Sequence, residues 1–228
     1  MTSLSILFPC YNEEANLPGM LEEAVKLGEQ YGVDYEVIVV DDGSADRSAA
    51  IVQEWTRKNP RVRLVQHSKN EGYGAALGTA LRSAAKDLVF LTDGDRQFQL
   101  SDIEKLFAKI DSCDAVTGYR LARQDGFYRR LNGRLWTGLV KLLFGLPVRD
   151  VDCAFKLFRR RALEGLEFHS RYLLVHAEIL ARLKKRGCRI EEVGVPHYPR
   201  PAGEATATKF SSVLKTFVEL FKLYWRIR

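Results

Sequence analysis

The sequence predicts an α/β fold in which a mostly parallel, Rossmann-like sheet carries helices on both faces. Short runs rich in β-branched residues alternate with stretches of helical periodicity, as expected for parallel strands joined by covering helices. Acidic and polar residues directly follow three of these runs, where ligands gather in open parallel sheets. The 228 residues, 46% of them hydrophobic, suffice for one substantial core. We therefore expect a single domain spanning residues 1–228.

The apolar runs give the predicted strands, and the periodic stretches between them give the predicted helices. Five strands are expected at residues 4–9, 35–40, 62–66, 88–92 and 114–117. Four helices are expected near residues 14–30, 45–58, 73–85 and 101–111. After residue 118 the pattern becomes a basic loop, a helix to about residue 144, a strand at 153–158 and a helix near 175–186. The Pro-rich stretch 195–209 is expected to be a mobile loop, followed by an amphipathic C-terminal helix at 209–228.

Charge and cysteine content limit the classes of function. The formal net charge of +6 suits nucleic acid, anionic lipid or a phosphorylated substrate. Nucleic acid is disfavoured, because the basic residues are interleaved with aliphatic helices and no aromatic stacking strand accompanies them. Four widely spaced cysteines and the lack of a leader-like start favour a reduced, cytoplasmic setting. No uncharged apolar stretch reaches about 18 residues, so no transmembrane helix is expected.

A pair of carboxylates ends the fourth predicted strand, in the stretch LVFLTDGDRQF. Asp93 and Asp95 are one residue apart, and each raises the free energy of ionising the other unless a cation neutralises the pair. Carboxylate oxygens suit a hard divalent cation, so we predict Mg²⁺ or Mn²⁺ here, with Gln97 assisting. The first strand ends in PCYNEE and the second in DDGSAD, so three polar strand ends can converge on one crevice. Taken alone, Asp42 could instead cap the following helix.

Two glycines open the helix predicted within NEGYGAALGTAL. Gly72 and Gly74 would let the backbone approach a phosphate or sugar closely, and we count Gly72 among the candidate donor contacts. A tight turn without a ligand explains the two glycines equally well. The stretch is not G-x-G-x-x-G after a first strand, so a dinucleotide-binding fold is disfavoured.

Five segments together resemble glycosyltransferase family 2, whose members have the GT-A fold: LSILFPCYNEEANL, YEVIVVDDGSADRS, NEGYGAAL, VFLTDGDRQF and RDVDCAFKLFRR. Within the family they are most similar to the polyprenyl-phosphate (dolichyl-phosphate) sugar synthase branch. The resemblance implies inverting, metal-dependent transfer of a hexose, mannose or glucose, from a GDP- or UDP-sugar to a polyprenyl phosphate. It divides the chain into a nucleotide-sugar-binding half (1–118), an acceptor-side half (119–208) and the C-terminal helix.

The same resemblance assigns roles to individual residues. It places nucleotide-sugar contacts on Pro9, Tyr11, Glu13, Asp42 and Asp93, with phosphate contacts from Arg200 and, as a second candidate, Lys209. It places the metal on Asp93, Asp95 and Gln97. The candidate catalytic residues are Asp95, Arg120, Arg130 and Asp150, with Arg129 beside them in the segment where the branch binds its phosphates. These arginines could alternatively form a solvated basic face.

Two segments depart from the family pattern. Where relatives read D-x-x-C-G-F-K, this chain has DVDCAFK, so both Asp150 and Asp152 are candidates to face the acceptor, and Ala154 replaces a glycine. The segment R-x-x-G-E-S-K of relatives is RPAGEAT here, without the Ser and Lys. A saccharide or other hydroxyl acceptor, which would need one of these carboxylates as a base, is therefore the alternative to a lipid phosphate. A non-catalytic module that binds sugar nucleotides or a lipid surface is the second alternative.

Two predicted helices are apolar around most of their circumference. Residues 127–145 and the C-terminal helix each carry a narrow stripe of basic residues beside Leu, Phe and Trp. Such helices can lie in a membrane interface, so we predict a peripheral protein at the cytoplasmic membrane surface, with the C-terminal helix lying flat. Packing on the sheet, or on a second subunit in a homodimer, is the alternative.

Overall fold

The computed structural model describes residues 3–31, 34–121, 127–202 and 210–227. Within these ranges the side chains of residues 127–132, 134 and 210–217 are not described.

One seven-stranded sheet runs through the described chain, and its strand order is β3-β2-β1-β4-β6-β5-β7. Only β6 runs antiparallel to its neighbours, β4 and β5, so the predicted mostly parallel sheet is confirmed. The strands are β1 (Leu4–Cys10), β2 (Tyr35–Asp41), β3 (Val62–Gln66), β4 (Leu88–Leu91), β5 (Ala115–Leu121), β6 (Lys156–Arg159) and β7 (Ile190–Pro196).

Helices occupy most of the intervals between the strands. They are α1 (Leu17–Gln30), α2 (Ser48–Lys58), α3 (Tyr73–Ser83), α4 (Ile103–Ile110), α5 (Phe127–Phe144), α6 (Arg160–Leu163), α7 (Leu174–Lys185) and α8 (Phe210–Ile227), with a 3₁₀ turn at Leu100–Asp102.

Strands β1, β2 and β4 are buried on both faces, as their continuous apolar runs predict. Alternate residues of β1 point to opposite sides of the sheet. Ile6 and Phe8 pack in one core with helices α1, α2 and α4, whereas Leu7 packs in a second core with α3 and α7. The α/β fold with helices on both faces is therefore confirmed.

The C-terminal helix α8 packs one face on the protein itself. Leu220 and Leu223 are buried in a third apolar cluster with Leu180 of α7 and Val140 of α5. The opposite face of α8 exposes Val218, Phe221 and Trp225. Among the described residues no helix is long and apolar enough to span a bilayer.

The sequence-based boundaries fail mainly in the second half of the chain. The strand predicted at 153–158 is wrong in its first half, since residues 153–155 are irregular and β6 begins at Lys156. The sequence does not predict β7, an edge strand whose IEEVGVP lacks an apolar run. Residues 195–196 of the predicted loop belong to that strand, and residues 203–209 lie outside the described residues.

The topology fixes where a ligand would bind. From β1 the chain builds outward through β2 and β3 on one side, and β4 lies on the other side of β1. Adjacent parallel strands whose connections leave in opposite directions open a crevice at their carboxyl ends. The loops after β1 and β4, which carry Glu13 and the Asp93–Asp95 pair, lie at this crevice.

Candidate active site

The loops after β1 and β2 are fastened to each other at the edge of the crevice. The Asn12 amide donates to Ser44 Oγ at 2.9 Å, and Asn12 Oδ1 accepts from the Ala45 amide at 2.9 Å. Asn12 has a left-handed backbone (φ 55°), which asparagine tolerates better than most residues. The Glu13 amide donates to Ser48 Oγ at 2.9 Å, at the start of α2. The two strand ends therefore form one rigid unit.

Three predicted nucleotide contacts follow from the end of β1. Pro9 is buried within the strand, while the Tyr11 ring is exposed at the loop. The Glu13 carboxylate accepts from Asn16 Nδ2 at 2.6 Å and from Arg200 Nη1 at 3.0 Å. Burial raises the pKa of Glu13, although these two partners oppose the shift. Tyr11 and Glu13 are thus placed where a ligand could reach them.

Asp42 has an anchoring role in the structure. Its carboxylate accepts from the Glu71 and Gly72 amides, both at 2.9 Å, and lies 2.7 Å from His67 Nδ1. The residue is 2% exposed, so both oxygens are committed to the protein. Asp42 thereby fastens the loop before α3 to the end of β2, and its predicted contact with the nucleotide stays a prediction.

The two glycines at the start of α3 are explained by close packing against backbone. A Cβ on Gly72 would lie 2.5 Å from the Arg171 carbonyl oxygen, and its φ of 102° also favours glycine. A Cβ on Gly74 would lie 2.0 Å from the Ser170 oxygen, and the Gly74 amide donates to Arg171 O at 2.8 Å. The close approach is therefore to residues 170–171, and a donor contact by Gly72 stays a prediction.

The carboxylates of Asp93 and Asp95 lie at the end of β4, and each is held by its own partners. Asp93 Oδ1 accepts from the Tyr73 hydroxyl at 2.7 Å. Asp95 is 6% exposed; its Oδ1 accepts from the Gln97 amide at 3.1 Å and its Oδ2 from Arg200 Nη2 at 2.9 Å. Burial, followed by the charge of Asp95, raises the pKa of Asp93 to about 7. Desolvation is the larger of the two causes, and the neighbouring carboxylate adds to it.

Arg200 reaches this pair from the far edge of the sheet. The segment after β7 crosses the crevice, where the Tyr198 amide donates to Gln97 O at 2.9 Å and Asn16 Nδ2 donates to Ala202 O at 3.3 Å. Gln97 Nε2 donates to Tyr198 O at 3.2 Å, so this amide also fastens the segment. The predicted phosphate-binding Arg200 thus lies beside the predicted metal ligand Asp95.

Arg120 and Asp150 form a second ionic centre near the crevice. Arg120 Nε and Nη2 donate to the two Asp150 oxygens at 2.6 and 2.8 Å, a bidentate arrangement that fixes the guanidinium plane. Burial alone would lower the pKa of Arg120, but the hydrogen bonds and charge of Asp150 raise it overall. Asp150 therefore faces Arg120 and fixes the orientation of its guanidinium.

Asp152 has a different environment from Asp150. Its carboxylate accepts a hydrogen bond from Trp136 Nε1 at 3.2 Å, and the residue as a whole is half-buried. Desolvation, followed by the charge of Asp150, raises the pKa of Asp152. The turn that carries both carboxylates is held from below by Lys156, which is fully buried and donates to the carbonyls of Val151 and Cys153.

Sequence reasoning misses Lys156, Tyr73 and His176. Tyr73 Oη lies 3.0 Å from His176 Nε2, on the first turn of α7, in addition to its bond to Asp93. Lys156 lies inside CAFKLF and His176 inside LLVHAEIL. A polar residue within an apolar run is the signal that could have identified these two. The side chains of Arg129 and Arg130, and all of Lys209, lie outside the described residues.

The residues at the crevice fit a hard cation that shares its ligands with a substrate. Asp93, Asp95 and Gln97 offer oxygen ligands of the kind Mg²⁺ and Mn²⁺ prefer. In the part of the chain that the structure describes, no group of three or more His, Cys, Asp or Glu side chains is arranged around a common point. Any such cation would therefore complete its shell with water and phosphate oxygens, as Mg²⁺ commonly does.

The arrangement is similar to that of known proteins. Residues 5–166 match the family model of Glycosyl transferase family 2. The chain is 33% identical over 205 residues to undecaprenyl-phosphate 4-deoxy-4-formamido-L-arabinose transferase from Edwardsiella ictaluri. This alignment covers 89% of the chain and 62% of that relative, so the chain spans less than two thirds of the relative's length.

Solved structures share the fold at low sequence identity. Glucosyl-3-phosphoglycerate synthase from Mycobacterium tuberculosis, in complex with Mn²⁺, UDP-glucose and phosphoglyceric acid, superposes with a TM-score of 0.75 at 18% identity, covering 98% of this chain and 80% of that one. A mannosyltransferase from Pyrobaculum calidifontis in complex with GDP-mannose and Mn²⁺ gives 0.68 at 19% identity, covering 98% and 64%. The sheet topology and the family match lead to one conclusion: the chain belongs to glycosyltransferase family 2 and has the GT-A fold.

Proposed function

We propose that this protein is an inverting, metal-dependent glycosyltransferase that moves a sugar from a nucleoside-diphosphate sugar to a polyprenyl phosphate. The observation that carries the proposal is the pairing of two centres: the Asp93–Asp95 carboxylates with Arg200, and the Arg120 guanidinium held by Asp150. The first suits a diphosphate with its cation, and the second suits another anion.

The donor would bind at the switch point of the sheet. Tyr11 and Glu13 line the end of β1, and Asp93 and Asp95 would hold Mg²⁺ or Mn²⁺ with help from Gln97. A bound cation of this kind acts as a Lewis acid that stabilises charge on a departing diphosphate. The Arg200 guanidinium lies within 3.0 Å of both Glu13 and Asp95. It would therefore place a second positive charge, in addition to the cation, beside the diphosphate.

The ionic bonds of Asp150 support a phosphate acceptor. A lipid phosphate is already ionised and nucleophilic near neutral pH, so it needs alignment rather than a general base. Both Asp150 oxygens accept from Arg120, which makes this carboxylate an orienting group for the guanidinium. Arg120 in turn would align the acceptor phosphate against the donor. The relative from Edwardsiella ictaluri is named for transfer to undecaprenyl phosphate, which supports this acceptor class.

The transferred sugar is proposed to be a hexose, mannose or glucose, from a UDP or GDP donor. The Edwardsiella ictaluri relative is named for a different sugar, 4-deoxy-4-formamido-L-arabinose. The two structural neighbours are in complex with UDP-glucose and GDP-mannose.

A hydroxyl acceptor is the second candidate, and Asp152 is the observation that favours it. The residue is partly exposed, and desolvation followed by the charge of Asp150 raises the pKa of its carboxylate, as suits a general base. A saccharide acceptor would then lie near Trp136, whose indole donates to Asp152.

We also propose peripheral association with the cytoplasmic membrane surface. On α8, Phe221 is 53% and Trp225 is 71% exposed, and on α5 Leu142 is 82% exposed. Trp beside aliphatic and basic residues is typical of helices that lie in the membrane interface. A homodimer that covers these faces is the competing arrangement.

An acceptor comparison tests the proposal. The full chain is incubated with UDP-glucose or GDP-mannose and Mn²⁺, and with a short-chain polyprenyl phosphate, the corresponding polyprenol or free sugars. Of these acceptors, we expect only the polyprenyl phosphate to give a glycosylated product. Transfer to the polyprenol or to a sugar would favour the hydroxyl-acceptor enzyme. If neither sugar transfer nor metal-dependent hydrolysis of the donor is detected, the non-catalytic module is favoured.

A further inference from the structure

A buried chain of hydrogen bonds runs from Asp93 into the core between α3 and α7. The Tyr73 hydroxyl, at the start of α3, lies 2.7 Å from Asp93 Oδ1 and 3.0 Å from His176 Nε2. The Tyr73 and His176 rings also pack at 5.5 Å between centroids. His176 is 1% exposed, and its Nδ1 has no hydrogen-bond partner among the described residues. This series of hydrogen bonds is therefore shielded from solvent and ends at His176 Nδ1, which makes no hydrogen bond with the described residues.

The direction of these hydrogen bonds follows from the chemistry of the three groups. With a cation bound, Asp93 is ionised and its carboxylate can only accept, so the single phenolic proton of Tyr73 lies toward Asp93 Oδ1 at 2.7 Å. The Tyr73 oxygen must then accept from His176, which requires the proton to be on Nε2. Burial, followed by the charges of Lys156 and Arg120, lowers the pKa of His176 well below its usual value, so the ring is neutral and Nδ1 carries no proton. The absence of a partner for Nδ1 agrees with this tautomer.

We infer that Tyr73 and His176 are positioning residues for the cation site: His176 orients the Tyr73 hydroxyl, which holds Oδ1 of Asp93 and leaves its other oxygen for the metal. This inference rests on the proposed metal-dependent transfer. Partners that hydrogen-bond a ligating carboxylate fix its orientation, and their loss typically weakens metal binding about 10- to 100-fold. The hydrogen bonds from Asp93 through Tyr73 to His176 link the cation site to α7. The loop before α7 also contacts Gly72 and Gly74.

The test measures Mn²⁺ binding directly, by the electron paramagnetic resonance signal of unbound Mn²⁺, with UDP and with GDP as separate probes. We expect Tyr73→Phe to raise the Mn²⁺ dissociation constant about 10-fold or more. His176→Leu should raise it by a smaller factor and add little in the Tyr73→Phe background, because the two residues act through one hydrogen bond. Tyr35→Phe is the matched control, since the Tyr35 hydroxyl is buried and has no hydrogen-bond partner among the described residues. It should leave Mn²⁺ binding within about twofold.

The outcomes separate this inference from the proposed function. If the wild-type protein binds Mn²⁺ and Tyr73→Phe binds it equally well, the positioning role is wrong and the proposed function stands. If the wild-type protein binds no Mn²⁺ with either nucleotide, both are overturned. In transfer assays the apparent KM for Mn²⁺ should rise in Tyr73→Phe while kcat recovers at saturating Mn²⁺; a fall in kcat alone would contradict the inference.

A measurement on the wild-type chain covers the case in which a variant does not fold. ¹⁵N NMR of the histidine ring distinguishes the two neutral tautomers. The Nε2-protonated form is expected for His176 at neutral pH with Mg²⁺ and UDP bound. The Nδ1-protonated form would overturn the inference, because the Tyr73 hydroxyl would then be directed to His176 rather than to Asp93.

Discussion

Arg200 bridges Glu13 and Asp95, with guanidinium nitrogens 3.0 Å from one carboxylate and 2.9 Å from the other. The arginine comes from the segment after β7, whereas its partners follow β1 and β4. A single side chain thus ties the far edge of the sheet to the central crevice. It also places one positive charge beside carboxylates that would otherwise repel each other.

Arg200→Ala should destabilise the metal-free protein. Removal of the guanidinium leaves the largely buried Glu13 and Asp95 carboxylates without their shared positively charged partner. We therefore expect the free energy of unfolding to fall by about 2 kcal/mol. Urea unfolding in EDTA measures this change. Arg161→Ala is the control, since Arg161 is 72% exposed and lies 3.4 Å from Asp114. Equal stability of Arg200→Ala and wild type would show that the bridge contributes nothing to the fold.

Arg120→Ala should reduce transfer to polyprenyl phosphate by more than it weakens nucleotide binding, because we place Arg120 on the acceptor. Asp150→Asn should act in the same direction, since it leaves the guanidinium without its bidentate partner. We expect reductions in kcat/KM of about 10- to 100-fold. Calorimetric titration with UDP or GDP measures the nucleotide affinity of each variant separately from its transfer rate. Equal losses in binding and in transfer would place Arg120 on the donor instead.

Asp152→Asn distinguishes the two acceptor classes. If the acceptor is a phosphate, the variant should keep transfer within about threefold, because no general base is needed. If the acceptor is a hydroxyl, loss of the base should reduce kcat about 100-fold or more. The rates with polyprenyl phosphate and with the most active saccharide, measured side by side, decide between them.

Glu178 should stabilise the fold in a pH-dependent way. Its fully buried carboxylate accepts from the His169 and Ser170 amides and from Arg182, and these bonds lower its pKa even though burial opposes them. A lowered pKa in the folded state gives stability that is present above the unfolded pKa and lost as the pH falls through the folded one. Glu178→Gln should therefore be about 2 kcal/mol less stable at pH 7, with a smaller difference in acid.

Urea unfolding at pH 7 and at about pH 3 checks this sign. Glu164→Gln is the control, because Glu164 pairs with Arg160 on the surface at 56% exposure. A difference between wild type and Glu178→Gln that grows in acid would contradict the assignment.

The exposed face of α8 should determine membrane binding. Phe221→Glu and Trp225→Glu place a charge on this face, and we expect each to abolish flotation with anionic vesicles at low salt. Wild-type binding should itself weaken as salt rises. Gln53→Glu, on the exposed side of α2, adds the same charge and should still float. If the α8 variants instead turn a dimer into a monomer in sedimentation experiments, the face binds a second copy of the chain.

The sequence is sufficient to predict the central strands and the acidic residues at their carboxyl ends. Strands β1 to β4 are buried on both sides or flanked by clear turn signals, and the acidic Asp93–Asp95 pair lies directly after one of them. Their position in the crevice follows from topology alone. The edge strand β7 is different, because its two glutamates and half-buried surface remove the apolar pattern on which strand prediction depends.

Contacts between distant segments cannot be read from local patterns. Tyr73 and His176 are 103 positions apart, and they meet only because α3 and α7 pack on the same face of the sheet. Asp42 has the sequence context of a helix cap, yet it binds the amides of residues 71 and 72. In both cases tertiary packing decides the partner of a polar group, and a single sequence carries no signal of it.

The most direct test of the central claim is the rate of sugar transfer in wild type and Asp95→Asn, with Mn²⁺ and with EDTA. The account predicts that wild-type transfer requires the cation, and that Asp95→Asn loses about 100-fold or more in rate while its circular dichroism and unfolding midpoint stay near those of wild type. Full wild-type activity in EDTA, or an active Asp95→Asn variant, would contradict the claim that Asp93 and Asp95 hold a catalytic cation.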